Sequence, residues 1–233
     1  MSISVHPVVG IPEITEGADL AGLIITALSD MNLALADGDV VVVTQKVVSK
    51  AEGRVVELGS DPKAHRRLVE AESQAILRDR GGLLIARTRH GFVCANAGVD
   101  RSNLAEGTAA LLPINPDRSA QRIRVLLERS YQVRVAVVVS DTFGRAWRRG
   151  QTDVAIGVAG MLPLVDLRGT RDAGGRMLHA TQIAVADELA AAAELVMGKD
   201  RQVPVAVVRG VEYPPGEGRA TDLVRAPADD LFL

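Results

Sequence analysis

A carboxylate beside a hydroxyl follows the clearest buried strand of the chain. Residues 133–139 are dominated by valine, and Ser140-Asp141-Thr142-Phe143-Gly144-Arg145 comes directly after them. Mg²⁺ or Mn²⁺ accepts one or two carboxylates and completes its shell with water and phosphate oxygens, so Asp141 and Thr142 have the chemistry to hold such an ion. The same aspartate equally suits a cap on the turn after the strand. A second string, Gly98-Val99-Asp100-Arg101-Ser102-Asn103, supplies another carboxylate in Asp100 and a hydrogen-bonding amide in Asn103, or else an ordinary Asx turn. A third runs Thr44-Gln45-Lys46-Val47-Val48-Ser49-Lys50-Ala51-Glu52-Gly53 after the valines of 40–43. Its lysines and hydroxyls fit an anionic ligand such as phosphate, or a solvated helix start. It is no Walker loop, because G-x-x-x-x-G-K-[ST] occurs nowhere in the chain.

Between 145 and 176 lie six arginines, Arg145, Arg148, Arg149, Arg168, Arg171 and Arg176, opposed by Asp153, Asp166 and Asp172. Guanidinium forks pair with phosphate and carboxylate, so the stretch reads as a polyanion site or as a solvated face. Other chemistries find little support. The four histidines are scattered and the one cysteine, Cys94, lies in an apolar run, which argues against a catalytic zinc and for a packed thiol. No G-x-S-x-G elbow anchors a hydrolase triad. The 216–219 segment, Gly216-Glu217-Gly218-Arg219, reads as a flexible loop able to close over a ligand.

The elements that must position these residues alternate short β-branched runs with helical patterns, the grammar of an α/β or α+β chain. Strands are expected at 3–9, 40–43, 83–88, 92–95, 133–139, 154–158, 164–167 and 203–208. Asp19 is expected to cap a helix, and Asn115-Pro116 to start one that runs to about 129. Asp61-Pro62 is read as the start of a helix ending at Arg80, before Gly81-Gly82. A further helix is expected over 181–197, with a polar loop from Pro214 onward.

The chain is 233 residues long, with 27 Lys+Arg against 29 Asp+Glu, 47% apolar and 3% aromatic. A chain of that size buries about 70–75% of the surface it exposes unfolded, enough for one large domain. Near-neutral charge argues against a nucleic-acid coat, and so few aromatics argue against a base-stacking platform. A single cysteine excludes a disulfide framework. No basic-then-apolar leader opens the chain and no apolar run approaches a membrane span, so a cytoplasmic protein with no nucleic-acid or membrane partner is expected.

Taken in order, several strings resemble one family, the coenzyme F(420)-0:L-glutamate ligases, or γ-glutamyl ligases. They are Gly10-Ile11-Pro12-Glu13-Ile14, the stretch 45–53, and Ala97-Gly98-Val99-Asp100-Arg101-Ser102-Asn103. Leu112-Pro113, the stretch 140–145 with Trp147 and Arg148, and Val208-Arg209-Gly210 complete the set. The resemblance spans nearly the whole chain. It implies a two-lobed, mixed-sheet α/β (α+β) fold peculiar to the family, with two interwoven lobes, in a butterfly-shaped homodimer. It also implies GTP-dependent ligation of L-glutamate to coenzyme F(420)-0 through an acyl phosphate, with successive γ-linked additions. Two divalent cations, Mg²⁺ or Mn²⁺, and activation by K⁺ come with it.

Carried over by position, the resemblance makes Asp100 and Asp141 ligands of one metal and Thr142 of the other. The GTP-binding positions become Gly10, Ile11, Pro12, Glu13, Gln45, Lys46, Lys50 and Asn103. Lys199 stands where a polar or acidic ligand belongs. Some relatives carry a nitroreductase-like domain after the ligase domain; here a single ligase domain over 1–233 is expected, built of up to two closely packed subdomains. The alternatives are a ligase of the same scaffold for another acidic acceptor, and a non-catalytic GTP-binding module.

Overall fold

The computed structural model describes residues 2–231. The chain opens with β1 (Ser4–Val8) and α1 (Leu20–Asp30), whose first turn is capped by the Asp19 carboxylate accepting from the Gly22 N–H at 3.1 Å. Then come β2 (Val40–Thr44) and α2 (Gln45–Ala51) with no linker between them. Small sheets follow, from β3 (Val55–Glu57), α3 (Ala64–Glu72), β4 (Ser73–Arg80), β5 (Leu83–Thr88), β6 (Val93–Ala95) and β7 (Thr108–Ala110). The chain returns through α4 (Pro116–Tyr131) to a long hairpin of β8 (Ala136–Arg145) and β9 (Arg148–Ala159). It ends with β10 (Val165–Asp166), β11 (Gln182–Ile183), α5 (Val185–Met197) and β12 (Val205–Arg209).

The main sheet has the order β1-β12-β2-β8-β9, with β2 and β8 parallel and the other pairs antiparallel. Its valine runs are uninterrupted because both faces are covered. Val41, Val43, Val137 and Val139 pack with Ile24 and Leu28 of α1 and Ile123 and Leu127 of α4. Val40, Val42 and Val138 pack on the other face with Leu189, Ala193 and Met197 of α5. A smaller core of Val69, Leu84, Ala86, Val99 and Leu111 closes the β4-β5-β6 sheet and the β3-β7 pair. The result is a mixed α/β architecture with several sheets. Among the described residues no helix is long and apolar enough to cross a membrane.

Four expectations need correction. The helix over 61–80 spans only Ala64–Glu72. Residues 73–80 form β4, which pairs with β5 through a turn in which Gly81 and Gly82 have φ of 61° and 89°. The two glycines thus serve a hairpin, not a helix end, and pairing overrides the helical pattern of 74–80. The 181–197 helix begins at Val185, because Gln182 and Ile183 pair with Asp166 and Val165. Residues 140–145 do not follow β8 but continue it. The tail is not all loop, since short 3₁₀ turns occupy Ala220–Leu223 and Pro227–Asp229.

Candidate functional site

In open α/β sheets the crevice beyond the carboxyl ends of adjacent parallel strands is where ligands sit. Here Thr44 ends β2 in register with Ser140 of β8, and a cleft of about 570 Å³ opens beyond them. One wall is α2. Its i, i+4 spacing sends Gln45 and Ser49 inward together and Lys46 and Lys50 together toward the small sheets. Ser49 Oγ lies 2.6 Å from the Leu111 carbonyl and 2.8 Å from Gln45 Oε1, with one proton to donate between them, while Gln45 Nε2 is buried without a partner among the described residues. A buried amide donor left unpaired costs about 1–3 kcal/mol, so this one is suited to a ligand acceptor in the cleft.

The facing wall is the segment 96–103. Asn96, Ala97 and Gly98 turn through left-handed φ values of 51°, 53° and 73°. A Cβ on Gly98 would lie 2.7 Å from the Leu112 side chain, so glycine is needed for both shape and space. The turn delivers Asp100, which bridges by backbone to Ala110. Both readings of the 98–103 string are realised at once. Asp100 Oδ1 accepts from the Ser102 N–H at 2.7 Å in an Asx turn, and Oδ2 meets Lys46 Nζ at 2.7 Å in the cleft. Burial pushes the Asp100 carboxyl up, but the Lys46 ammonium and the Ser102 N–H outweigh it and hold it below the usual range. Lys50 pairs with Glu13, and Asn103 Nδ2 donates to the Lys199 carbonyl at 3.1 Å.

The floor comes from β8 and β9. Asp141 has no ion pair among the described residues, and accepts from the next residue's N–H at 2.9 Å. Burial pushes its carboxyl up to about 7; the repulsion of Asp100 and Asp153 adds to this, against the Thr142 N–H and the Lys199 charge. Asp153, on β9 opposite Thr142, accepts from both Thr142 Oγ1 at 2.6 Å and Ser140 Oγ at 2.8 Å. On α5, Glu194 also lines the cleft, its carboxyl raised by burial and by Asp153.

Ile11, Pro12, Glu13, Gln45, Lys46, Lys50, Asp100, Asn103, Asp141 and Thr142 all line this one cleft, with Lys199; Gly10 does not. Thr44 and Ser102, from the strings singled out above, line it too, as do Asp153, Glu194 and Asp200, which were not anticipated as site residues. The six arginines lie elsewhere: among the described residues no arginine lines the cleft, and its cationic side chains are lysines. Arg145 donates to the Arg149 carbonyl, Arg168 pairs with Asp166, and Arg171 donates to the Gly175 carbonyl. The 216–219 loop packs against residues 161–163 and is likewise outside the lining.

Among the described residues no three His, Cys, Asp or Glu side chains form a ready-made cation cage. Such a cage is not what Mg²⁺ or Mn²⁺ needs beside a phosphorylated ligand, where one or two carboxylates suffice. The donor set fits that demand: mutually repelling Asp100 and Asp141 would be relieved by a cation, and Thr142 adds a hydroxyl oxygen. Cys94 is not part of this chemistry. Burial, with Asp141 nearby, pushes its thiol up to about 12, so it stays protonated and unreactive at neutral pH. Ellman's reagent at pH 8 should label fewer than about one native chain in ten in the time that labels guanidinium-unfolded chain fully. Rapid native labelling would refute its burial.

Comparison with known proteins gives a consistent result. Residues 9–210 match the family described as F420-0:Gamma-glutamyl ligase. The "Coenzyme F420:L-glutamate ligase" of Methanothermobacter thermautotrophicus is 44% identical, with 100% of this chain and 99% of that protein covered. Proteins of the same name from Methanocaldococcus jannaschii and Methanococcus maripaludis are 40% and 37% identical, each covering 85% of this chain and 86% of their own.

Proposed function

The chain belongs to the F420-0:gamma-glutamyl ligase family and is a carbon–nitrogen ligase, and we propose that it joins L-glutamate to coenzyme F(420)-0 at the expense of GTP. The observation that carries this reading is convergence. Segments 11–14, 45–50 and 100–103, far apart in sequence, meet Asp141 and Thr142 in one cleft. A merely nucleotide-binding module has no need of two carboxylates held beside a hydroxyl and three lysines.

The acceptor's terminal carboxylate takes the γ-phosphoryl group of GTP, giving an acyl phosphate and GDP. The free amine of L-glutamate then attacks the acyl carbon, phosphate leaves, and the nitrogen loses a proton as the amide forms. Repetition on the new γ-carboxylate adds further γ-linked glutamates. Such phosphoryl transfer needs positioning and charge neutralisation rather than a side-chain nucleophile. Lys46, Lys50 and Lys199 provide positive charge around the phosphates, and Gln45 Nε2 and Asn103 provide hydrogen-bond donors. Asp100 and Asp141 would hold one divalent cation and Thr142 a second. When bound, Mg²⁺ or Mn²⁺ neutralises phosphate oxygens against the incoming carboxylate. A solution mass of twice the chain's would support the homodimer expected of the family.

The test mixes full chain, GTP, Mn²⁺, L-glutamate and coenzyme F(420)-0, and follows GDP and product mass. Acceptor-dependent GDP and a mass increase of one or more glutamyl units support the reading; replacing K⁺ by Na⁺ should slow both. GDP release without an adduct, or GTP binding without turnover, would overturn it.

A further inference from the structure

Asp153 is only 2% exposed, and no cation pairs with it among the described residues. A buried carboxylate without a counter-charge is costly, so its hydrogen bonds have to hold it. It has two, both from hydroxyls on the neighbouring strand: Thr142 Oγ1 to Oδ1 at 2.6 Å and Ser140 Oγ to Oδ2 at 2.8 Å. The side chains lie on one face of the β8–β9 ladder, where Thr142 stands directly opposite Asp153. Ser140 is fully buried, so the second bond anchors the carboxylate against rotation.

The direction of these bonds carries the inference. A hydroxyl has one proton, and Thr142 Oγ1 donates it to Asp153 Oδ1 at 2.6 Å, so that proton is committed to Asp153. What the Thr142 oxygen retains is lone pairs. A hydroxyl in that state meets a cation or an N–H donor favourably, and has no proton to offer a phosphate oxygen. Without Asp153 the same hydroxyl could rotate and donate into the cleft, and so act as an anion contact instead.

We propose that Asp153 is a positioning residue that makes Thr142 an obligate oxygen donor, setting its proton and rotamer so that the cleft side of the hydroxyl serves a divalent cation. This rests on the reading of Thr142 as a cation ligand given above. Partners of this kind, which orient a ligand without touching the metal, typically change metal affinity about 10- to 100-fold when replaced.

The test titrates Mn²⁺ into full-length chain saturated with GDP and reads free Mn²⁺ by room-temperature EPR, with Mn²⁺ and GDP alone as the blank. Asp153→Asn keeps the shape, but its amide accepts from one hydroxyl and donates to the other. It should weaken Mn²⁺ binding about 10- to 100-fold, as should Thr142→Val. On the Thr142→Val background, Asp153→Asn should add less than about threefold, because contacting residues of one network are non-additive. Asp153→Glu retains the charge but displaces the carboxylate, and should lose affinity as the amide does. It also serves if circular dichroism shows Asp153→Asn unfolded.

Full additivity would show that Asp153 acts independently of Thr142, and wild-type affinity in Asp153→Glu would show that charge alone matters. Either result overturns the proposal while leaving the cation reading intact. If the wild-type chain binds no Mn²⁺ beyond the blank, it is the cation reading itself that fails, and the proposal falls with it.

Discussion

Asp141→Ala is expected to slow glutamate ligation by about a thousandfold or more while leaving the fold intact, a loss of ~4 kcal/mol of transition-state stabilisation at 1.36 kcal/mol per tenfold. The size follows from the reaction. Its barrier is lowered mainly by neutralising phosphate charge, and Asp141 is the recessed carboxylate on β8 just past Ser140, the partner of Thr44 at the end of β2. The harmlessness to folding follows from its surroundings. Asp141 makes no ion pair among the described residues, its hydrogen bond reaches only the adjacent N–H, and Asp100 and Asp153 repel it. Removing the charge relieves that repulsion, so the metal-free variant should melt no lower than wild type. Steady-state GDP release and a thermal melt, taken on the same preparation, check the two halves separately. A variant within tenfold of wild-type activity would exclude Asp141 from the reaction, and an inactive variant that melts far lower would show only that the fold had failed.

The parts of this molecule legible in its sequence are those governed by local physics. Valines at 40–43 and 135–139 announce strands covered on both faces, and Asp19 and Asn115 cap the helices they precede. What could not be read is long-range pairing. Residues 74–80 carry a helical pattern, yet they pair with β5, and nothing in the segment itself reports that partner. Asp153 is the instructive case at the site. Arg145 pairs with Arg148 at the hairpin tip, and simple counting back from there would set Thr142 opposite Gln151. An irregularity beside Gly150, at φ 82°, shifts the register and brings Asp153 opposite Thr142 instead. Asp100 was ambiguous for a related reason: the Asx turn is local and visible, whereas Lys46 reaches it from another element. The arginine-rich stretch shows the converse error, since a cluster in sequence is spread along a hairpin tip and a surface arm in space.

Arg209→Met is expected to destabilise the chain by about 3–5 kcal/mol without entering the chemistry. Arg209 belongs to one of the strings shared with the family, so a site role is the tempting reading, but its surroundings argue otherwise. Asp39 is 1% exposed and is held by Arg209 Nε at 2.8 Å and Nη2 at 2.6 Å, with the Ala36 N–H also donating to it at 2.8 Å. Arg209 Nη2 further donates to the Ala34 carbonyl at 2.8 Å, tying the turn before β2 to the end of β12. Because β12 runs antiparallel to β2, with Val208 beside Val40, this pair sits at the start of β2, and the cleft lies beyond its other end at Thr44. A strand of that length separates them by about 15 Å. Losing the guanidinium strands a buried charge, which should lower the melting temperature by about 6–20 °C at 2–4 °C per kcal/mol. The double variant Asp39→Asn/Arg209→Met leaves no bare charge and should recover at least about half of that loss, since the penalty comes chiefly from the orphaned partner. Urea midpoints of the single and double variants measure the stability, and ligation assayed well below the melting point should stay within about threefold of wild type. An Arg209→Met chain of normal stability and no activity would move this residue from the scaffold into the site.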